Sequence, residues 1–242
     1  MAAMKKNIQG TILALGLILL VAPSWAQSHR PYRGAGYGHN LIRIQGGLFT
    51  PRGEDDYWLD KELEFTGDAD DFEDFSVGVD YLRLVTGRVG LLVSGNAFTG
   101  ETDQSYLDFV DESRFAITHT TTLDTASFNL GLLFYLASRN SVVVPYVGIG
   151  GGFHFWRLEE SGDFIDFSLP ELEIFSDTFE AEGETFGYYY QVGLDIPLSS
   201  NFSIFAEGRW QRADDELEDD FEGFGTLDLG GRDLRAGVAW RF

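Results

Sequence analysis

The sequence predicts an all-β chain: an eight-stranded antiparallel up-and-down transmembrane β-barrel with short periplasmic turns and long outer loops. Three observations predict it. Eight segments alternate apolar and polar residues with period two, each over about the length of a tilted membrane strand. The connections between these segments alternate strictly between short and long. Beyond the first 26 residues no apolar run reaches the roughly 20 residues that a membrane-crossing helix needs, so a mature chain that enters a bilayer must do so as a barrel.

In chain order, Lys5 and Lys6 precede an apolar stretch from Thr11 to Ala22 and then Ser24, Trp25 and Ala26, which place small residues where signal peptidase cuts. Residues 1–26 therefore read as a signal peptide, too short to serve as an anchor. Residues 27–39 follow as a periplasmic amino-terminal tail and 40–242 as the barrel. The first strand, Leu41 to Thr50, sets Ile42, Ile44 and Leu48 on one face. The second, Phe72 to Val85, aligns Phe75, Val77, Val79 and Tyr81, and the third, Val89 to Phe98, aligns Val89, Leu91, Val93 and Ala97. The fourth, Thr122 to Leu136, sends Phe128, Leu130, Leu132, Phe134 and Leu136 outward and Ser127, Asn129 and Gly131 inward. The fifth, Val142 to Trp156, presents Val147, Ile149, Phe153 and Phe155 against Gly148, Gly150, Gly152 and His154. Pro145 donates no hydrogen bond, so it belongs in the first residues of that strand or at a bulge. The sixth, Thr185 to Ile196, carries Phe186, Tyr188, Tyr190, Val192 and Leu194; the seventh, Phe202 to Gln211, carries Ile204, Ala206 and Trp210; the eighth carries Leu234, Ala236, Val238, Trp240 and Phe242.

Thr86 to Arg88, Ala137 to Ser141 and Pro197 to Asn201 are tight turns, whereas the other four connections each run to about 18 to 30 residues. Arg235, Gly237, Trp240 and Phe242 resemble the terminal signal read by the machinery that assembles outer-membrane barrels. The opening stretch with Gly46, Gly47 and Phe49, and the run Pro145, Tyr146, Val147, Gly148, Ile149, Gly150, Gly151, Gly152, are typical of opacity-like porin-family barrels. On these residues the chain resembles the eight-stranded outer-membrane barrel superfamily, which includes the OmpA membrane domain, OmpX, the opacity-type proteins and OmpW. The resemblance covers the mature chain, and it implies export to the outer membrane of a Gram-negative bacterium, with lipid, lipopolysaccharide and the barrel-assembly machinery as partners.

The formal net charge is -22, and there are no cysteines. A chain so acidic repels nucleic acid, which excludes that partner class. Of the 39 acidic residues, 34 fall in the four long connections, which hold only five bases: Arg52, Lys61, Arg114, Arg157 and Arg212. The dense carboxylates Asp68, Asp70, Asp71 and Asp74, with a second run from Asp214 to Glu222, offer hard oxygen ligands that suit Ca²⁺ or Mg²⁺ beside the lipopolysaccharide phosphates. A merely solvated acidic face is the competing reading. On the strands, parity turns Arg43, Asp80, Asp195, Glu207, Arg209, Asp233, Arg235 and Arg241 inward. The lumen of eight strands is narrow enough to be filled by side chains, so these charges are expected to pair: Arg43 with Asp80, Glu207 with Arg235, and Arg241 with Asp195.

No enzymatic apparatus is legible. The glycines at 148, 150, 151 and 152 do not form a dinucleotide site, which would need glycine where Phe153 stands and a helix after it. In the lipid A deacylases that resemble this chain in strand number, a serine follows the catalytic histidine by two residues; His154 is followed by Phe155 and Trp156, and His119 by Thr120 and Thr121. No cofactor is expected beyond the cations. The leading expectation is a structural or surface-interaction barrel acting through its acidic outer loops, with a surface protein as a candidate partner. Phe164, Ile165, Phe167, Leu169, Leu172, Ile174, Phe175 and Phe179 suggest that the third loop continues as a protruding hairpin. The alternative is a narrow OmpW-like or porin-like conduit for small hydrophobic molecules.

If the terminal aromatic is read by the assembly machinery, deleting Phe242 will lower outer-membrane levels in cells while refolding into detergent stays nearly intact. Equal losses in the two assays would assign the residue to packing instead.

Overall fold

The computed structural model describes residues 39–138, 141–167 and 172–242. The expected signal peptide, all of the tail but His39, and Leu169 lie outside the described residues. Eight strands close into one ring: β1 (Asn40–Pro51), β2 (Asp74–Leu84), β3 (Val89–Val110), β4 (Ala116–Tyr135), β5 (Val144–Asp166), β6 (Glu173–Pro197), β7 (Phe202–Arg212) and β8 (Gly231–Arg241). Each pairs antiparallel with its chain neighbour, and β8 returns to β1 in register from Leu41 opposite Arg241 to Pro51 opposite Gly231. Closure leaves no barrel edge, so every main-chain group at lipid depth can be met by a neighbouring strand.

The alternation of faces follows the sequence. Ile44, Leu48, Val77, Leu91, Leu130, Ile149, Tyr190, Val192 and Val238 are exposed on the outer wall, while Leu41, Leu82, Leu92, Leu133, Tyr135 and Phe205 are buried inside. Aromatic residues stand on that wall at both ends, with Trp240 and Phe242 5.2 Å apart on the turn side and Tyr190 stacked on Trp210 at 5.3 Å on the loop side. Pro145 is the second residue of β5, just past the end of β4, where its carbonyl accepts from the Leu136 amide at 2.8 Å. The inward glycines make room for large neighbours: Tyr189 lies across Gly131 and Gly150, and a Cβ at either would collide with its ring or hydroxyl.

Four strands are far longer than expected. β3, β4, β5 and β6 have 22, 20, 23 and 25 residues, whereas a tilted crossing needs about ten. β2 leaves β3 at the pair Ser76–Phe98, and β7 leaves β6 at Tyr188–Arg212, so above these levels β3 to β6 rise as an open four-stranded sheet. The expected hairpin of the third loop is part of it, with β5 and β6 paired up to Asp166 and Glu173. The second connection is a hairpin too, with β3 and β4 in register to Ser105–Thr118 and, past a bulge, pairing again at Val110–Ala116. Phe72, expected in the second strand, instead lies buried in a short 3-10 turn, Ala69–Phe72, before β2 begins.

The raised sheet has two edges, and both are covered. On β3 the Thr66 amide donates to the Ser105 carbonyl at 2.8 Å, and Phe65 bridges Tyr106. On β6 the Glu180 amide donates to Asp220 Oδ2 at 3.0 Å and the Thr185 hydroxyl to the Asp214 carbonyl at 2.8 Å. The first and fourth loops therefore act as edge covers.

Leu130, 58 % exposed near the middle of the outer wall, gives the test of the parity assignment. Leu130→Arg will cost about 2 to 4 kcal/mol in a lipid refolding equilibrium, because the charge would face hydrocarbon. A silent substitution would place that face away from lipid.

Candidate functional site: the lumen network and the outer head

Midway along the barrel the inward charges meet as a network. Arg43 Nη1 lies 3.5 Å from Asp80 Oδ2, and its Nη2 reaches across β8 to Glu207 Oε2 at 2.8 Å and to the Tyr146 hydroxyl oxygen at 2.7 Å. Tyr146 in turn donates to Glu207 Oε2 at 2.5 Å. The other carboxylate oxygen of Glu207 takes Arg235 Nε at 2.6 Å, and Arg235 Nη1 donates to Asn96 at 2.8 Å. Gln45 donates to Asp80 at 3.1 Å, and Gln191 to Glu207 at 3.3 Å. Both expected adjacent-strand pairs, Arg43 with Asp80 and Arg235 with Glu207, are thus present, and Glu207 also joins them into one assembly. Asp233 flanks it, 3.6 Å from Arg235 and holding the Ser76 hydroxyl at 2.9 Å.

Arg209 is buried over the Tyr189 ring, its Cζ 3.5 Å from the ring centroid. Asp195 and Arg241 are buried towards the floor, where Arg241 Nη1 donates to the Ser200 carbonyl at 3.5 Å. The eight charged residues that parity turns inward comprise four arginines and four carboxylates, none more than 6 % exposed. A balanced set of this kind offsets much of the desolvation that a lone buried charge would suffer. Below the network, an apolar layer of Leu41, Leu82, Leu92, Leu133 and Phe205 fills the remaining section.

The acidic cluster of the first loop is put together differently from the expectation. Asp68 caps the 3-10 turn, accepting from the Asp70 amide at 2.9 Å, while Asp71 accepts from the Asp68 amide at 3.1 Å and Asp74 from the Phe75 amide at 2.6 Å. Asp68, Asp70, Asp71 and Asp74 are therefore not gathered into a cation-binding set; among the described residues no three His, Asp or Glu side chains are so arranged. The physical reason is local: short acidic side chains beside a tight turn satisfy its free amides first. In the terminal motif Trp240 and Phe242 are half-exposed on the outer wall, Arg235 belongs to the lumen network, and Gly237 gives way to the Phe205 ring, which a Cβ there would strike.

Above the barrel stands a head that the loop reading missed. Helix α1 (Asp56–Glu64) crosses the mouth, with Asp56 in its first turn, where the helix dipole favours an acid. Its buried residues Tyr57, Trp58 and Lys61 share one face, spaced i, i+1 and i+4. Tyr57 and Trp58 pack with Phe72, Leu123, Trp156 and Leu158 into a core over the mouth. The Trp58 indole donates to the Asp228 carbonyl at 3.1 Å, and Arg52 Nε to Asp228 Oδ2 at 2.7 Å.

Tyr57 and Lys61, one turn apart, converge on Glu160 of β5: Tyr57 donates its hydroxyl at 2.6 Å and Lys61 its ammonium at 2.6 Å. Two residues counted with the solvated crown, Glu160 and Asp228, are therefore buried structural groups. Burial pulls the Lys61 ammonium below its ordinary value against the pull of Glu160, and pushes the Tyr57 hydroxyl well up. The one lysine after residue 26, in an i, i+4 relation to a tyrosine, was the signal available in sequence.

His119 lies beside this pair, 2 % exposed, with Nε2 3.9 Å from Glu160 and its ring among Phe65, Phe164 and Tyr106. Burial, and then the Lys61 charge, hold its pKa down to about 4 from 6.5. A base whose folded value lies below its unfolded one binds fewer protons when folded, so stability rises with pH across that window. The contribution is complete above about 6.5 and is lost as pH falls towards about 4. Limited proteolysis of the head will therefore speed up between those limits, and less so in His119→Leu compared at each pH. Identical profiles for the two proteins would remove His119 as the cause.

The family model for the outer membrane protein β-barrel domain matches residues 11–242. Among solved structures, OprG of Pseudomonas aeruginosa superposes with a TM-score of 0.52 at 14% identity, covering 85% of this chain and 96% of that one. Neisserial surface protein A superposes with a TM-score of 0.50 at 11% identity, covering 86% of this chain and 99% of that one. At such identities these likenesses speak to the fold alone. A comparison with curated proteins gave no match. The chain belongs to the outer membrane protein β-barrel domain family, which places it in the Gram-negative outer membrane.

Proposed function

We propose that this protein is a non-conducting, non-enzymatic surface barrel: the membrane part anchors, and the outer head meets molecules at the cell exterior. The single observation that carries this reading is the lumen network of Arg43, Asp80, Glu207 and Arg235 with Tyr146, which joins strands from opposite sides of the barrel with direct side-chain bonds. A path through the barrel would have to break it, and separating one partner from a buried pair of this kind costs about 3 to 5 kcal/mol. The apolar layer below and α1 above close the same axis twice more.

The head has the properties of a recognition platform. It is ordered by its own core, held on rigid strands, and coated with carboxylates. The two histidines of the strand interior, His119 and His154, are buried and out of reach of a substrate, which supports a binding role over a catalytic one. A hydrophobic conduit would need an apolar passage where four arginines and four carboxylates stand.

Single-channel recording on purified protein in planar bilayers tests the reading. The unmodified protein will give no discrete conductance steps, while the double variant Arg43→Gly, Glu207→Gly, which deletes the bridging side chains, will give small cation or anion steps. Discrete steps from the unmodified protein would overturn the proposal.

A further inference from the structure

Between α1, the raised ends of β3, β5 and β6, and the short turn Asp219–Phe221 lies a cavity of about 510 Å³. That volume is in the range of sites that enclose a small organic molecule. Its wall is aromatic, built chiefly from Phe65, Tyr106, Phe164, Phe175, Phe179 and Phe221. The rings hold one another in place: Phe65 and Tyr106 lie 4.6 Å apart, and Phe164 and Phe179 meet edge to face at 5.0 Å. Phe224, 49 % exposed, stands at the opening.

Four carboxylates also line this cavity: Glu160, which is paired, and Asp60, Glu64 and Asp220, none of which is in an ion pair among the described residues. Asp220 holds the Glu180 amide through Oδ2. The one basic residue in the lining, Lys61, is already neutralised by Glu160 at 2.6 Å. The site thus combines ring faces, which are negative at their centres, with unbalanced negative charge, inside a head whose surface repels anions. A neutral apolar guest would gain only from burial. A cation with an apolar body would gain from burial, from the ring faces and from the carboxylates together.

We propose that this cavity binds a small amphipathic cation, an aromatic or branched alkyl group bearing a quaternary or protonated ammonium, with its apolar body among the phenylalanines and its charge beside Asp60, Glu64 and Asp220. The inference rests on the reading that the head carries the function. A conducting lumen would overturn that reading without altering the binding measured below, so the two can fail separately.

The test uses the full chain in maltoside micelles and three probes of similar shape: phenyltrimethylammonium, its neutral carbon isostere tert-butylbenzene, and the anion phenylacetate. Affinities are taken by ligand-observed saturation-transfer NMR, with empty micelles subtracted. The cation will bind about tenfold tighter than the isostere, and the anion most weakly. The double variant Asp60→Asn, Glu64→Gln changes only exposed side chains and so leaves the fold in place. It will weaken the cation about fivefold and leave the isostere unchanged. Phe224→Ala, also at an exposed position, will weaken both. Equal affinity for cation and isostere, indifference of the cation to the double variant, or indifference of both probes to Phe224→Ala would each overturn the proposal.

Discussion

The width of an eight-stranded lumen is the constraint on which the rest of this structure depends. A closed ring satisfies the main chain in lipid, but at this strand number it leaves space for side chains and little else. A charge turned inward is therefore pressed against other inward side chains and gains most where one of them carries the opposite charge. Arg43, Asp80, Glu207 and Arg235 meet in this way, and their assembly ties β1, β2, β7 and β8 together on the side where the ring closes. Such a network costs desolvation and repays it with geometry, fixing the register at the one seam that the chain order leaves to a long-range encounter.

The same narrowness accounts for the division of labour along the axis. Large inward residues fit only where small ones face them, which is how Tyr189 rests across Gly131 and Gly150 and why Phe205 needs Gly237. With the interior filled in this way, room for further structure lies in the part of the chain that stands clear of the membrane. There the strands escape the requirement for an apolar face, and β3 to β6 continue with many threonine, serine and acidic residues outside and with Tyr106, Ile117, Trp156, Leu158 and Phe164 buried within. The open sheet so formed has edges that invite pairing, and the first and fourth loops cover them. Loops with this task cannot be solvated tails, and the acids above the membrane divide accordingly: Glu160 of β5 and Asp228 of the fourth loop are buried partners, while Asp60, Glu64 and most others face water.

What could be read in the sequence was whatever depends on a period of two against a fixed solvent. Lipid demands apolar residues at every second position, so the eight crossings, their order and their faces were legible from residues such as Phe128, Leu130, Leu132 and Phe134. Parity then placed the lumen charges, and adjacent-strand pairing named two of their contacts. Above the membrane the solvent is water on one side only of a twisted sheet, the alternation weakens, and Thr99 to Thr121 read as a loop although most of it is strand.

The sequence by itself therefore determined the fold class, the number and facing of the membrane strands, and the inward charges, because the bilayer imposes one rule on every crossing. Tertiary structure alone decided that Glu207 serves both Arg43 and Arg235, that Asp68 and Asp71 spend their carboxylates on a turn, and that Lys61 is buried against Glu160. It also gathered the aromatic wall of the head cavity from Phe65 just after α1, from β3, β5 and β6, and from the fourth loop. The reason is distance along the chain. These contacts join residues as far as 164 positions apart, through a closure and a cap that no local period encodes.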